Sequence, residues 1–527
     1  MKTIFSYSFQ FVMLMFVAMS VVSCSSDDNT FAEQQAAPEL PVIHFTAQLG
    51  AKGNGSPNGA KMQAGAPRRV VTDPDTGILD AEWQENEELA VIYEVDGTKN
   101  MVTAKVNAVS DGIAFIEADL IGSPADGSAM KLVYPAAAAD KDEASGVKAD
   151  YLASTVQNGT LDGDKGISKK FDVATGDGIL SVNGTTGGLK EMATLRNIYA
   201  MLKLSFKDAS DNKAITGMCA LVINDEVTGE TLAKVRGEAL SSIYVAMEPI
   251  SSTTTVRFTA VSPSATYTNT ASLSRLVASK FYRSTLKLNV DGPGAVDPGL
   301  TSGILWASWN VGAKASTEYG EFFAWGETTG YTSSTKGYNH TTSGGMATYT
   351  GYEDHNFNWA NYSLCSGTAT TLTKYNNDSS DGTVDNKATL EAEDEVAHVE
   401  WGGAWRMPTY EEFKELVDSY PRAKSTPTGK LGYNQWVTTY KNKSVGGVAF
   451  YKGGAVILFL PAAGARSGTN LANQKTGYYY WTSSRDNSYP SKAHFHRAGS
   501  GGGFYIDEVR ERYLGYSVRP VLDLKLK

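Results

Sequence analysis

Cysteine, basic clusters and long apolar runs are scarce in this 527-residue sequence. The chain has three cysteines, and its formal net charge is −10. Since no basic cluster stands out, nucleic acid is not expected as a partner. Three cysteines cannot build a disulfide framework. Cys219 and Cys365 lie about 150 residues apart, and nothing in their spacing indicates that they pair.

The N-terminus carries a short apolar run in place of a membrane-spanning one. Phe9–Val22 follows Lys2 and has the length of a signal-peptide core. The run ends in Val-Val-Ser-Cys, which resembles a bacterial lipobox; this implies removal of residues 1–23 and lipidation, such as palmitate, at Cys24. The alternative is an ordinary secretory signal with an incidental cysteine. Residues 25–28 resemble the acidic signal for export to the outer face of the outer membrane, and residues 24–40 are expected to be a flexible tether.

Long amphipathic helical patterns are also rare, whereas the chain has 52 glycines and many short β-branched or aromatic segments. This composition predicts a mainly β protein. The strands predicted between residues 41 and 290 are Val42–Ala47, Leu89–Tyr93, Leu132–Ala136, Arg196–Phe206, Ala220–Ile223, Ile243–Met247, Val256–Ala260 and Tyr282–Val290. Their number fits two β-sandwich subdomains, 41–194 and 195–290.

The order of motifs in this region resembles the fimbrillin family of surface pilus subunits (Mfa-like, type V). The runs are "IHFTA", a loop ending in arginine, "W" before "ELAVIY", "LVYPA" and "RNIYAMLKLSF". The resemblance implies two Greek-key sandwiches, and cleavage by an Arg-specific protease beyond the first strand, here at Arg69 beside Arg68. Loss of that strand would open a groove that a strand of the next subunit fills. The alternative is that both arginines are ordinary solvated surface residues.

A hinge is predicted at residues 291–295, and the composition of the sequence changes in residues 296–527. Trp401–Thr409 combines two tryptophans, two glycines and a proline, a composition that predicts a tight buried corner. Thr409 is a candidate N-cap for a helix in which Phe413 and Leu416 recur at helical spacing. A helix over Asn386–Trp401, a hairpin over Gly446–Leu460 and a long surface loop over Tyr331–Thr371 are also expected.

Six motifs of this region resemble the FISUMP type of surface domain, which is related to the C-type-lectin-like fold. They are "VDPGLTSGILWASWNVGA", "EYGEFFAWGET", "WGGAWRMPTYEEFKELV", "LFLPAAGAR", "GYYYWTSS" and "YSVRPV". The resemblance implies two helices, a small sheet and a long loop region that presents a ligand surface. The predicted architecture is therefore mainly β, with two sandwiches followed by an α+β lectin-like domain.

Catalytic motifs are absent from the sequence. It holds no Gly-Xaa-Ser-Xaa-Gly elbow, His-Glu-Xaa-Xaa-His helix or phosphate-binding Gly-Lys loop, so no enzyme is expected. His494 and His496 are either a metal pair or part of an exposed strand face. The polar residues around Gly382 are either a calcium loop or a solvated turn, and no other cofactor is indicated; they are Asn377, Asp378, Asp381 and Asp385.

Tyrosine and arginine are concentrated beside the predicted C-terminal strands. Such side chains stack on sugar rings or anchor protein partners, so a ligand surface is predicted there. The alternative is that they are ordinary surface residues without a binding role. The candidates are Arg466, Asn470, Tyr478, Tyr480, Arg485, Asp486, Tyr489 and Tyr505. The chain is accordingly expected to be a lipid-anchored outer-membrane adhesin, at the tip of a fimbrium or accessory to it, that binds other subunits and glycan or protein. The alternative is a monomeric glycan-binding lipoprotein of a nutrient-uptake system.

Overall fold

Alternation of apolar and polar residues builds the first strand, β1 (Val42–Leu49), in which every second residue is buried. The computed structural model describes residues 40–50, 52–53, 70–72, 79–81, 83–152, 156–161, 166–167, 171–343, 346–422, 432–500 and 504–525. From Val42 onward the chain forms one compact unit. The expectation of a mainly β protein is confirmed. In the part of the chain described, no helix is long and apolar enough to cross a membrane.

The strands of the first part precede residue 198. They are β1 (Val42–Leu49), β2 (Lys52–Gly53), β3 (Val70–Thr72), β4 (Leu79–Ala81), β5 (Glu88–Val95), β6 (Thr98–Ser110), β7 (Ile113–Ile121), β8 (Ala129–Tyr134), β9 (Ala174–Asn183), β10 (Thr186–Leu189) and β11 (Arg196–Asn197). The sheet order is β10-β1-β7-β6-β5-β8-β9-β11, and β9 also pairs with β10. The sheet therefore closes on itself, so no strand in the ring from β1 to β10 is an open edge along its whole length.

The strands of the second part follow in order. They are β12 (Ala200–Asp208), β13 (Met218–Asp225), β14 (Thr231–Leu240), β15 (Ile243–Met247), β16 (Thr254–Val261), β17 (Ala265–Leu273) and β18 (Phe281–Pro293). Their order in the sheet is β14-β13-β16-β17-β18-β12-β15. Gln157 spans its two outer strands, since its backbone N–H donates to Lys234 and its side-chain amide exchanges two 2.8 Å hydrogen bonds with the Ala246 backbone. Gln157, a residue of the first part, thus forms hydrogen bonds with both outer strands of the second sheet.

The third part has shorter strands. They are β19 (Ala295–Val296), β20 (Leu305–Ala307), β21 (Asn339–Ser343), β22 (Met346–Thr350), β23 (Trp405–Arg406), β24 (Tyr433–Val437), β25 (Gly447–Lys452), β26 (Ala455–Pro461), β27 (Ala465–Ser467), β28 (Asn470–Ala472), β29 (Gly477–Arg485), β30 (Lys492–Gly499), β31 (Phe504–Glu511) and β32 (Val521–Leu522). Among the described residues, the third part contains the α-helices Val396–Trp401 and Tyr410–Ser419 and 3-10 turns at Trp359–Asn361, Ser379–Asp381 and Ala392–Asp394, and the first part contains a 3-10 turn at Ala136–Ala138. That residues 296–527 adopt a lectin-like fold stays a prediction.

The chain turns at Trp401–Thr409 as predicted, but the corner is only partly buried, because Gly403 and Ala404 are exposed and Trp401 is half-buried. Gly402 and Gly403 both have positive φ, and the two indoles meet edge to face at 5.1 Å. Thr409 and Glu412 then form a reciprocal capping box that begins helix Tyr410–Ser419. The hairpin with a Gly453-Gly454 turn also forms, between β25 and β26.

The predicted hinge at residues 291–295 is wrong. Strand β18 runs to Pro293, and Ala295 already pairs with Ala307 in the next sheet. Gly294 packs so tightly that a Cβ there would lie 2.2 Å from the Pro263 carbonyl oxygen, so this glycine serves close contact and not flexibility. A shared apolar cluster joins the second sheet to the third part; it contains Cys219, Ala220, Val222, Val261, Ala295, Leu305, Ala307, Trp405 and Leu522.

Three further expectations fail in part. The strand predicted over Arg196–Phe206 is interrupted, because the Asn197 side chain accepts the Tyr199 N–H and Asn197 still belongs to the first sheet. In Asn386–Trp401 only the last six residues are α-helical. The Tyr331–Thr371 segment is not all loop, since it contains the β21–β22 hairpin.

Fully buried arginines hold the loops of the third part. Arg519 donates to the Asn310 side chain at 2.8 Å and to the Ala307 and Phe459 carbonyls at 3.0 Å. No described carboxylate pairs with it, and burial lowers the pKa of Arg519. Its guanidinium therefore ties three separate segments together through their acceptors.

Replacing Arg519 with leucine should destabilise the protein, because it leaves three buried acceptors without a donor. We expect Arg519→Leu to lower the free energy of unfolding of the third part by about 3 kcal/mol. Arg510→Leu is the matched control, since the Arg510 side chain is 48% exposed. Denaturation followed by tryptophan fluorescence measures both. Equal, small effects of the two substitutions would contradict the stated role of Arg519.

Candidate functional site

Strand β1 lies inside the first sheet, between β7 and β10. It pairs antiparallel with β7 over its whole length, from Val42 opposite Ile121 to Leu49 opposite Ala114. On its other side it pairs parallel with β10, and the His44 N–H donates to the Thr185 carbonyl at 2.9 Å. Removal of β1 would thus expose the edges of two neighbouring strands at once.

The inner face of β1 is apolar. Ile43, Phe45, Ala47 and Leu49 all contribute to the core of the first sheet. A side chain at Gly187 of β10 would meet Ile43, since a Cβ there would lie 2.9 Å from the Ile43 Cγ2. The seat of β1 is therefore a row of pockets for alternate side chains beside a glycine that permits close approach.

The outer face of β1 carries ion pairs with β7. His44 lies between two carboxylates of β7, with ring nitrogens 3.1 Å from both Glu117 and Asp119. The hydrogen bond to Asp119 and the charges of both carboxylates raise the pKa of His44 above its ordinary value. These contacts fix the register of β1 on β7 from the solvent side.

Strand β10 was missed by sequence reasoning. It is four residues long and contains two glycines, so it lacks an alternating pattern. The available signal was the Asn183-Gly184 pair that forms its hairpin with β9. Arg68, Arg69 and Cys24 lie outside the described residues, so cleavage and lipidation at these positions stay predictions.

Four of the predicted ligand residues are not on the surface. The placement of Arg466, Tyr478, Tyr480 and Arg485 in accessible loops is wrong, because their exposed fractions are 0%, 0%, 0% and 3%. The two tyrosines lie in β29, where strand pairing and the apolar core cover them. They support the region from within and do not face solvent.

The two buried arginines in this set act as clamps between loops. Arg466 makes a two-point ion pair with Asp354, at 2.9 and 3.1 Å, and its guanidinium lies 4.1 Å from the centre of the Tyr352 ring. Arg485 donates to the Lys387 carbonyl at 3.1 Å and to Asn377 at 3.0 Å. Neither guanidinium is available to a ligand in this arrangement.

The remaining four predicted residues do not form one surface patch. Asp486 and Tyr489 share a turn, in which the Asp486 carboxylate accepts the Tyr489 N–H at 2.7 Å. Tyr505, 45% exposed, lies against Arg497 of the neighbouring strand, whereas Asn470 pairs with Thr350 in a different sheet. Ligand binding by these four residues stays a prediction.

In the calcium loop considered for residues 377–385, two of the three carboxylates accept hydrogen bonds from the protein. Asp378 accepts the Ser380 N–H at 2.8 Å and caps a 3-10 turn. Asp385 accepts three backbone N–H groups, from Tyr375, Asn376 and Lys387. Although partial burial raises it, these donors hold the pKa of Asp385 below its ordinary value. Calcium binding by this loop and the solvated-turn alternative both stay predictions.

One group of carboxylates has a spacing compatible with a cation among the described residues: Glu391, Glu393 and Asp394. Lys374 fills it, since its ammonium lies 2.9, 3.1 and 2.5 Å from these three side chains. Although desolvation opposes it, the three carboxylates raise the pKa of Lys374. The cluster is thus an ion-pair network at the surface.

The two histidines of β30 are not on an exposed face, so that expectation is wrong. His496 is fully buried, stacks on Phe413 at 4.6 Å and shares a 2.7 Å hydrogen bond with the Tyr478 hydroxyl. His494 is half-buried against Tyr410 and Asp486. The histidines belong to no metal-like group in the described part of the chain. Burial lowers the pKa of His496 to about 3.

Comparisons with known proteins give limited information. No family profile and no curated protein matches the chain. A candidate cell adhesion protein from Bacteroides uniformis ATCC 8492 is 13% identical at a TM-score of 0.25, over 39% of this chain and 88% of that chain. A fimbrial protein from Bacteroides ovatus ATCC 8483 is 11% identical at a TM-score of 0.24, over 92% and 100%. A fimbrial assembly protein from Parabacteroides distasonis ATCC 8503 is 10% identical at 0.23, over 47% and 90%. Nothing about this chain is concluded from likeness at these TM-scores.

His496 should make the protein sensitive to acid. The neutral ring is favoured in the folded state, so its contribution to stability is complete above the unfolded pKa of about 6.5 and is lost as the pH falls towards about 3. Each pH unit in that window should cost about 1.4 kcal/mol. His496→Gln should flatten the decline, whereas exposed His340→Gln should leave it unchanged. Urea denaturation between pH 7 and 4 measures this; parallel profiles for all three proteins would refute it.

Proposed function

We propose that the chain is a subunit of a surface fimbrium that joins its neighbour by strand replacement at β1. The observation that carries this proposal is the position of β1. It lies within the sheet, is paired on both sides, and precedes Arg69 in the sequence. A cut after Arg69 would separate β1 from the rest of the chain without breaking any other strand that lines its seat.

The chemistry of the vacated seat supports the proposal. The open edges of β7 and β10 would offer backbone hydrogen bonds to an incoming strand. The pockets of Ile43, Phe45 and Leu49 would accept alternate apolar side chains, and each such side chain contributes about 1.5–3 kcal/mol on burial. Glu117 and Asp119 would favour a strand with a basic or imidazole group at the position of His44.

The N-terminal sequence supports a surface location. The lipobox-like run that ends at Cys24 supports a lipid anchor in the outer membrane. The acidic residues that follow it support export to the outer face of that membrane. Cutting after Arg69 would release that anchor together with β1. Lipidation would thus hold the subunit until its assembly begins.

The third part is proposed as the outward-facing adhesive region of a tip or accessory subunit. It packs on the second sheet through the apolar cluster that includes Trp405, and its loops are fixed by buried guanidinium groups. A rigid region can carry force from a bound surface to the fimbrium. Its ligand is proposed to be a glycan or a protein.

Arg-specific digestion of the purified chain tests the assembly step. We expect treated protein to form oligomers, because loss of the segment before Val70 opens the β1 seat. The variant Arg68→Lys with Arg69→Lys should remain monomeric, whereas the control Arg510→Lys should assemble normally. Size-exclusion chromatography with light scattering measures the masses.

A synthetic peptide of residues 40–50 provides the matching control in trans. It should refill the seat and suppress oligomers, and the same peptide with Phe45→Glu should not, since its charge would enter an apolar pocket. Strand replacement would be contradicted if the cut segment stayed bound and the chain stayed monomeric. It would also be contradicted if oligomers formed that neither peptide could suppress.

A further inference from the structure

A large cleft lies between the second sheet and the third part. Its volume is about 1330 Å³, above the roughly 300–1,000 Å³ of typical small-molecule sites. One wall comes from the starts and ends of β13, β14 and β16, at Cys219, Glu238 and Pro263. The other comes from β26 and from the loops around Trp309 and Tyr440. A cleft of this size suits a length of polymer better than a metabolite.

The backbone of β26 forms part of the wall. Five consecutive residues, Ala455–Phe459, line the cleft. The ladder with β25 shifts its register between Phe450 and Tyr451, so Ile457 is an extra, bulged residue, and residues on both sides of the bulge reach the cleft. Strand β26 is the last in the order β24-β25-β26, so only one of its edges is paired.

The unpaired edge of β26 is accessible to a partner strand. The Phe459 carbonyl is taken by Arg519. For Ala455–Leu458, the described residues supply no backbone hydrogen bond beyond those with β25. This leaves about four residues of open edge, or roughly 13 Å of strand. An open edge inside a sheltered cleft is a site for strand addition.

The charge of the cleft selects the partner. Four lysines line it against two carboxylates: Lys314, Lys441, Lys443 and Lys452 against Glu238 and Asp297. Both carboxylates are neutralised, because Glu238 pairs with Lys452 and Asp297 forms a two-point ion pair with Arg236 at 2.5 and 2.6 Å. Three ammonium groups remain in a chain whose net charge is −10. The local excess of positive charge favours an anionic partner.

The apolar content of the wall points to a peptide. Val456 and Ile457 are half-buried beside the open edge, and Tyr440 stacks on Phe459 at 4.2 Å with its ring along the cleft. Alternating apolar and acidic side chains would place one set on this floor and the other towards the lysines.

We infer that the cleft binds an extended acidic peptide segment of a partner protein, which adds as a strand to the Ala455–Leu458 edge of β26. This site is separate from the β1 seat and does not require removal of β1. The bound segment would be held by backbone pairing at the edge, by apolar contacts with the floor and by charge contacts with the lysine rim. It would give the proposed adhesive region a protein ligand, or an assembly contact that is independent of strand replacement.

A defined peptide on the intact, undigested chain tests this site. The probe is a fluorescent ten-residue peptide in which valine alternates with glutamate. We expect saturable binding in fluorescence anisotropy, together with slowed hydrogen exchange at those amides of Ala455–Leu458 that β25 does not bind. The peptide with lysine in place of glutamate should bind at least tenfold more weakly, and N-methylation of alternate backbone amides should abolish binding.

Charge reversal locates the partner on the lysine rim. Lys314→Glu with Lys443→Glu should weaken the peptide at least tenfold. The control Lys287→Glu with Lys336→Glu makes the same change of net charge at exposed lysines outside the cleft and should leave affinity unchanged. This experiment uses uncut protein, so a failure of peptide binding would not contradict strand replacement at β1. A failure of assembly after digestion would likewise not contradict peptide binding in the cleft.

Three outcomes would overturn the inference. One is absence of binding by the acidic peptide. Another is binding that survives N-methylation or gives no protection at Ala455–Leu458, which would exclude strand addition. The third is binding of an oligogalacturonate tetrasaccharide, with the same dependence on Lys314 and Lys443, in place of the peptide; that result would assign the cleft to an acidic glycan.

Discussion

The hydrogen bonds on both sides of β1 keep the first sheet closed, and the arrangement of that part of the molecule depends on them. A ring of strands has no open edge, but it remains closed only while each strand is in place. Strand β1 differs from its neighbours in one respect: it is the first strand, and it is joined to the rest of the ring by a single connection. The same pairing that completes the fold therefore makes β1 the one strand that a single cut could release.

The third part is stabilised in a different way. Its strands are short and its loops are long, so neither ladders nor apolar area alone can fix them. Arg466, Arg485, Arg512 and Arg519 fill this role by donating to carbonyls and side chains of several loops at once. Planar guanidinium groups suit the task because each offers five donors in a fixed geometry. Arginine and tyrosine can either bind a ligand or stabilise loops from inside the fold. In this part of the molecule, most of the arginines and tyrosines that resemble ligand residues in the sequence are buried and stabilise the fold.

Patterns with short range were predictable from the sequence. The alternation in β1, the glycine turn between β25 and β26, and the Thr409 cap each depend on residues within one element, and each was found as predicted. What the sequence did not disclose depends on contacts between distant segments. Gly294 has the composition of a linker, yet it is a glycine because the Pro263 carbonyl lies against it. The helical pattern after Asn386 is interrupted where Lys374 gathers three carboxylates, an interaction invisible to periodicity. The candidate site was predictable in its position on β1, but not in its closure by β10, whose glycines carry no strand pattern.

Hydrogen exchange measured by mass spectrometry, before and after Arg-specific digestion, tests most directly whether β1 is a separable strand of a closed sheet. The account predicts that digestion, in protein kept dilute enough to stay monomeric, exposes to fast exchange the amides of β7 and β10, in Ile113–Ile121 and Thr186–Leu189, that β1 had bound. Those of β12, in Ala200–Asp208, should stay protected, because the second sheet does not include β1. Unchanged protection of β7 and β10 after the cut, or loss of protection throughout both sheets, would contradict it.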